Sequence, residues 1–167
     1  NITTDHIMPA GSKILPFRSN IPKISQFCFT VCDPDFPARC QQEGGGIIIG
    51  GSNYGQGSSR EHAALAPLYL GVKAVAAKSY ARIHCANLAN AGLIPLQFND
   101  EADYDKIDQM DDLSLPHIRQ ELEAGTDVTM IDKTKGITIR LTALLSQRQR
   151  AMVLAGGLLN YTKESAR

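Results

Sequence analysis

Apolar and polar positions in the middle of the chain alternate between strand-like and helix-like patterns. Three apolar runs predict strands because they are short and bounded by glycine or polar residues: Ile47–Ile49, Val72–Ala77 and Leu93–Phe98. Two segments between them have helix-forming composition, 58–70 and 80–91, and each is followed by a glycine. Strands and helices that alternate with short connections predict an α/β fold with a mostly parallel central sheet.

The flanking segments carry different patterns. Residues 1–26 are punctuated by proline and glycine, which predicts a loop-rich entry, and D-P-D-F-P at 33–37 predicts a break in any regular element. The last third predicts a hairpin and then one amphipathic helix that Gly156-Gly157 weakens; these elements cover 127–131, 136–141 and 146–160. We predict one domain over residues 1–167. Because the chain begins at Asn1 and inside a motif, we expect it to be a fragment of a longer enzyme.

Composition and charge narrow the class of protein. Seventeen Lys and Arg residues balance 17 Asp and Glu residues, so the formal net charge is zero. This argues against a general nucleic-acid binder and against a polybasic membrane-surface protein. The chain is 43% hydrophobic, enough for a core, and no apolar run approaches the roughly 18 residues of a membrane span.

The four cysteines are Cys28, Cys32, Cys40 and Cys85. Their spacing matches neither the paired C-x2-C of zinc ribbons nor the runs of ferredoxin-type cluster sites. We interpret them as free thiols in a reducing compartment and expect a cytoplasmic location, with no metal or cofactor ligands in this chain.

The most informative stretch is G-G-S-N-Y-G-Q-G-S-S-R-E-H-A-A-L, which begins at Gly50. Ser58 and Glu61 fit the S-x-x-E capping box, which predicts a helix beginning here. A glycine-rich loop before a helix offers free N–H groups and the positive end of the helix dipole to an anion. Arg60 strengthens the interpretation as a carboxylate or phosphate site. The endings of a Walker A loop and of a dinucleotide fingerprint are both absent.

Five segments together resemble the aconitase C-terminal domain. Y-G-Q-G-S-S-R-E-H-A-A-L resembles its signature, and the others follow the family's order: T-T-D-H-I at 3–7, P-F-R at 16–18, K-S-Y-A-R-I-H-x-x-N-L at 78–88 and G-L-I-P-L at 92–96. The resemblance covers residues 1 to about 107. The short 33–37 stretch and the compact region before Ile47 resemble the bacterial form of the family.

The resemblance implies a swivelling β/β/α domain with a C-terminal hairpin and helix. Such a domain closes over three others that carry a [4Fe-4S] cluster, whose ligands are implied to lie outside this chain. The implied activity is that of a hydro-lyase that isomerises citrate to isocitrate through cis-aconitate. The implied partners are these tricarboxylates and the cluster-bearing domains, so we expect the chain alone to be inactive.

The same resemblance implies roles for five residues. Ser58 would be the general base, Arg18 and Arg60 would bind substrate carboxylates, Ser59 would bind substrate, and Asp5 would orient groups near the base. A serine base needs a stabilised alkoxide, so we leave open that the helix is capped by the second serine instead. Three further candidates for acid–base chemistry or for the site, His62, Arg82 and His84, are interpreted as structural.

Two alternatives remain open at this point. One is the same fold in a related hydro-lyase, the small subunit of isopropylmalate isomerase or a homoaconitase. The P-F-R-S-N segment around Arg18, which would contact the variable part of the substrate, is closer to the aconitase pattern. The other is a non-catalytic, RNA-binding relative, which the zero net charge disfavours.

Overall fold

Six strands form one sheet in a computed structural model of the protein, which describes residues 1–166. Their order is β1-β2-β3-β6-β5-β4, and their bounds are β1 Gly46–Gly50, β2 Val72–Ala77, β3 Ile94–Phe98, β4 Leu113–Ser114, β5 Val128–Asp132 and β6 Ile137–Ala143. The first three strands are parallel, and the pairings of β3 with β6, β6 with β5 and β5 with β4 are antiparallel. The predicted α/β class and the C-terminal hairpin are confirmed.

Eight α-helices surround this sheet in the described residues: α1 Thr4–Ile7, α2 Ile21–Ile24, α3 Phe36–Glu43, α4 His62–Tyr69, α5 Arg82–Ala91, α6 Ile118–Ala124, α7 Gln147–Leu154 and α8 Leu158–Ser165. Helices α4 and α5 connect the parallel strands, as predicted. Helix α5 ends at Gly92, whose φ of 99° is the left-handed conformation that glycine adopts most readily. None of the helices described here is long and apolar enough to cross a membrane.

Several boundaries differ from the prediction. The loop expected over residues 1–26 contains short helices, α1, α2 and two 3-10 turns at Leu15–Phe17 and Ser25–Phe27. The break expected at 33–37 is present at 33–35, but α3 begins at Phe36, because Pro37 lies in the first turn, where no N–H is needed. The single C-terminal helix is two helices, since Gly156 and Gly157 both have positive φ.

The core lies on both faces of the parallel strands. Strand β2 lies between β1 and β3. Its Val72 and Val75 belong to the core cluster that includes residues of α1 and α4, and its Ala74 and Ala76 belong to the cluster that includes the hairpin. Ile47–Ile49 of β1 are only half-buried, because β1 is at the edge of the sheet. Core packing on both faces therefore holds the carboxyl ends of the parallel strands in place.

Candidate active site

The loops that follow β1 and β2 pair with each other at one edge of the sheet. The N–H of Tyr54 donates to the carbonyl of Ser79 at 3.0 Å, and the N–H of Ala81 donates to the carbonyl of Tyr54 at 2.9 Å. Ligand sites in open α/β sheets form outside the carboxyl ends of parallel strands, which is where this pair of loops lies.

The N-terminal segment is held against the same glycine-rich loop. The N–H of Gly55 donates to the carbonyl of Ile2 at 2.7 Å, and that of Thr4 donates to the carbonyl of Gln56 at 2.9 Å. The Thr4 hydroxyl donates to the carbonyl of Ser58 at 2.8 Å. Three of the sequence segments singled out above therefore meet at one place.

Helix α1 is short, but both of its ends are fixed. Its N-terminus is closed by a capping box in which the Thr3 side chain accepts from the N–H of His6, and Nδ1 of His6 accepts from the N–H of Thr3 at 2.9 Å. Ile7, near its C-terminal end, is completely buried. The imidazole of His6 thus serves as a helix cap, a role that the sequence analysis did not assign.

Asp5 and Arg60, two of the predicted site residues, form an ion pair. A guanidinium nitrogen of Arg60 lies 2.8 Å from Oδ1 of Asp5. The Arg60 side chain is 29% exposed and that of Asp5 66% exposed, so both can also reach a ligand in solvent. Asp5 therefore contacts a residue, Arg60, that lies two positions after the predicted base, Ser58, in the sequence.

The predicted capping box at Ser58–Glu61 is wrong. Helix α4 begins at His62 with Glu61 as its N-cap and without a side-chain cap, so Ser59 does not cap it either. Ser58 is exposed and its carbonyl is held by the threonine of α1, which keeps residues 58–61 out of the helix. Oγ of Ser59 instead accepts a hydrogen bond from Nδ2 of Asn87 at 3.2 Å.

Arg18 reaches the same region through its backbone. Nε2 of His62 lies 2.5 Å from the Arg18 carbonyl oxygen, which ties the 15–18 turn to the beginning of α4. His62 is therefore hydrogen-bonded, as predicted. The Arg18 side chain is exposed. The structure thus brings the segments that carry all five predicted residues to one edge of the sheet.

A cleft of about 590 Å³ opens beside the glycine-rich loop. It is lined by Gly55, Gly57, Ser59, Ala81, Arg82, Ile83 and His84. Sequence reasoning did not single out two residues that contact the serines here, Thr4 and Asn87. Both lie inside motif segments, and their position there was the only available signal.

His84 is a structural residue, as predicted. It is 2% exposed and packs against the ring of Tyr54 at a centroid distance of 5.5 Å. Burial lowers the pKa of His84 to about 4, so its imidazole is neutral near pH 7. A neutral ring adds no positive charge beneath the loop. Arg60 follows Ser59 directly in the chain, and Arg82 lines the same cleft as Ser59.

Comparison with known proteins now identifies the family. The profile of the aconitase C-terminal domain matches residues 33–101. The 3-isopropylmalate dehydratase small subunit 2 of Archaeoglobus fulgidus is 38% identical over 98% of this chain and 89% of its own length. The chain belongs to the aconitase C-terminal domain family. The expectation that it resembles the bacterial form stays a prediction.

Other relatives support the same family membership for this chain. The mitochondrial aconitate hydratase of Gracilaria gracilis is 40% identical over 96% of the chain. The chain spans only 11% to 24% of the length of six aconitate hydratases to which it is similar. The crystal structure of 3-isopropylmalate dehydratase from Methanocaldococcus jannaschii superposes with a TM-score of 0.82 and 32% identity, over 99% of this chain and 89% of that one.

These comparisons also overturn one prediction. The cytoplasmic location is wrong, because the matched aconitate hydratases, that of Gracilaria gracilis among them, are mitochondrial by name.

The residues of this chain do not fit the iron–sulfur cluster of the family. Cluster ligands are thiolates, whereas burial raises the pKa of Cys28 and Cys40 and raises that of Cys85 to about 11. Across residues 1–166 no three His, Cys, Asp or Glu side chains are grouped so that they could hold a metal ion. No chemical step is therefore assigned to a cluster on this chain.

Proposed function

We propose that this chain is the swivel domain that completes the active site of an aconitate hydratase, which isomerises citrate to isocitrate through cis-aconitate. The observation that carries the proposal is the exposed Ser58 on a loop held by α1, two residues before Arg60, whose guanidinium pairs with Asp5. Family membership supports the hydro-lyase class.

Ser58 is the general base in this proposal. The alkoxide of Ser58 takes the proton from the substrate carbon, and the double bond of cis-aconitate forms as the hydroxyl on the neighbouring carbon leaves as water, with a second proton that the rest of the enzyme supplies. Rehydration adds the hydroxyl to the carbon that lost its proton, and Ser58 gives its proton to the carbon that lost the hydroxyl. A serine alkoxide needs nearby positive charge. Arg60 supplies it, together with the N–H groups of residues 58–60, which within residues 1–166 have no backbone acceptor.

Arg60, Arg18 and Ser59 bind the substrate carboxylates in this proposal. A guanidinium presents parallel N–H donors that match a carboxylate. Asp5 orients Arg60 without enclosing it, since both side chains keep exposed surface. Oγ of Ser59 already accepts from Asn87, so its own proton is free to donate to an anion.

The proposal assigns the [4Fe-4S] cluster to other domains or to a partner subunit. The cluster would supply Lewis-acid chemistry at the substrate hydroxyl when bound. This chain supplies the base and the carboxylate ligands, so it has no activity by itself. The tricarboxylate and the cluster-bearing part of the enzyme are its proposed partners.

A second candidate is the small subunit of a 3-isopropylmalate dehydratase. Its support is length and shape, because this chain spans 89% of the Archaeoglobus fulgidus subunit and 89% of the Methanocaldococcus jannaschii chain. The reaction class and the role of Ser58 are the same for both candidates. They differ in the substrate group that would meet the Arg18 turn.

The decisive experiment combines this chain with the cluster-bearing part of its enzyme and assays citrate, cis-aconitate and isopropylmalate. We expect Ser58→Ala to lower kcat by roughly a thousandfold or more with the cluster intact. Ser52→Ala, at an exposed serine earlier in the same loop, is the matched control and should retain full activity. Near wild-type turnover by Ser58→Ala would refute the base assignment, and turnover by this chain alone would refute the swivel-domain role. The ratio of kcat/KM between the substrates decides between the two candidates.

A further inference from the structure

We propose that Thr4 is a positioning residue that sets the orientation of the peptide between Ser58 and Ser59, so that the N–H of this peptide faces the substrate. The catalytic effect of Thr4 rests on the proposed function, whereas its hydrogen bond to Ser58 is present in the folded chain in either case. The family resemblance implies a role in this segment for Asp5 and none for Thr4.

The contact is buried and joins distant parts of the chain. Thr4 is 2% exposed, and its Oγ1 donates to the carbonyl of Ser58 at 2.8 Å across 54 residues of sequence. A threonine in a helix commonly donates to the carbonyl of the preceding turn. Here the hydroxyl is instead committed to the loop that carries the proposed base.

The helix that carries the hydroxyl, α1, is held at both ends. Helix α1 is closed by the Thr3–His6 capping box and anchored by the buried Ile7. The N–H of Thr4 itself donates to the carbonyl of Gln56 at 2.9 Å, so two successive parts of the loop are bound by one residue. Helix α4 begins only at His62, so the loop before it is held mainly by contacts with α1 and with the loop that follows β2.

The position of the carbonyl decides where the N–H points. In a planar trans peptide the C=O and the N–H lie on opposite sides. Because the Ser58 carbonyl is directed at the buried Thr4, the N–H of Ser59 is directed the other way, where Ser59 is exposed beside Arg60. The reversed peptide would present a carbonyl oxygen at this place, and its partial negative charge would repel a substrate carboxylate.

The test compares variants of Thr4 that differ in the hydroxyl. Thr4→Val keeps the shape and removes the donor, while Thr4→Ser keeps the donor; Thr4→Ala paired with Thr4→Ser is a second comparison, in case valine prevents folding. In the assembled enzyme we expect Val and Ala to lower kcat/KM by roughly 10- to 100-fold, because a small misplacement of reacting groups has effects of this size. The deuterium isotope effect on kcat, with substrate labelled at the carbon that loses its proton, should rise. Thr4→Ser should stay within about threefold of wild type.

A second readout does not depend on activity. In NMR spectra of this 18.1 kDa chain, the ¹³C′ resonance of Ser58 and the ¹⁵N resonance of Ser59 should move in Thr4→Val and remain in place in Thr4→Ser. Unchanged resonances in Thr4→Val would overturn the proposal. So would a variant that loses thermal stability but keeps wild-type kcat/KM and isotope effect, since Thr4 would then only stabilise the fold.

The proposed function and the proposed role of Thr4 can be refuted independently. A wild-type enzyme that turns over neither citrate nor isopropylmalate refutes the proposed function, and the NMR comparison still decides whether Thr4 orients the peptide. An active wild type whose Ser58→Ala variant is inactive, together with a fully active Thr4→Val, refutes the Thr4 proposal alone.

Discussion

Gly55 lies directly against the imidazole of His84. A Cβ on Gly55 would come within 2.1 Å of Cδ2 of His84, and the φ of Gly55 is +85°. The glycine-rich loop and helix α5 therefore touch without room for a side chain. This contact fixes how closely the loop approaches α5. Ser58 and Ser59 follow Gly55 in the same loop, so their position depends on this approach.

Gly55→Ala should lower the free energy of unfolding by roughly 2 to 5 kcal/mol, because the alanine is both strained at positive φ and overpacked. Urea unfolding of the purified chain measures the change. Gly51→Ala is the matched control in the same loop, since a Cβ there meets nothing within 4 Å. Equal stability of the two variants would contradict this account of the contact.

Stability should depend on pH through His84. Burial lowers its folded-state pKa to about 4 from the ordinary 6.5, so between these values the unfolded chain binds a proton that the folded chain does not. The free energy of unfolding should therefore fall by about 3 kcal/mol as the pH is lowered from 6.5 to 4. Urea titrations across this range, on wild type and His84→Leu, measure the difference.

The control for this titration is His117→Gln, which removes an exposed imidazole and leaves the buried His84 in place. His84→Leu is expected to lack this component of the pH dependence. Parallel curves for wild type and His84→Leu would show that other groups cause the acid instability.

Asp5→Asn tests the orientation of Arg60. Removing the charge loosens the guanidinium, so we expect kcat/KM of the assembled enzyme to fall by roughly tenfold. The free energy of unfolding should change by less than about 1 kcal/mol, because the Asp5 side chain is 66% exposed. Steady-state kinetics and thermal unfolding measure the two effects, with Glu43→Gln as an exposed-carboxylate control. A large loss of stability with unchanged kinetics would make the pair structural.

Arg18→Lys tests the second carboxylate ligand. Lysine keeps the charge but loses the bidentate fork, so KM should rise by roughly tenfold or more while kcat changes less. Lys13→Gln, at an exposed residue just before the same turn, is the control. Unchanged kinetics in Arg18→Lys would contradict the proposed role of Arg18 in binding a substrate carboxylate.

The predictions from the sequence succeeded where a local pattern had one structural outcome. The apolar run at 72–77 is a central strand, and the glycine after 82–91 ends a helix, because each pattern is decided by nearby burial or backbone freedom. The pattern at Ser58–Glu61 failed, because the Ser58 carbonyl, which would accept the first hydrogen bond of a helix beginning there, accepts instead from the hydroxyl of Thr4, 54 residues away in the sequence.

The sequence by itself determined the α/β class, the parallel core, the hairpin and the family, because periodicity, glycine positions and long motifs are local properties of the chain. It also indicated which five residues to examine. Only the tertiary structure decided that Asp5 pairs with Arg60, that Asn87 holds Ser59, and that Thr4 directs the Ser58 carbonyl. These contacts join segments that are distant in sequence, and they form only when the sheet brings its loops to one edge.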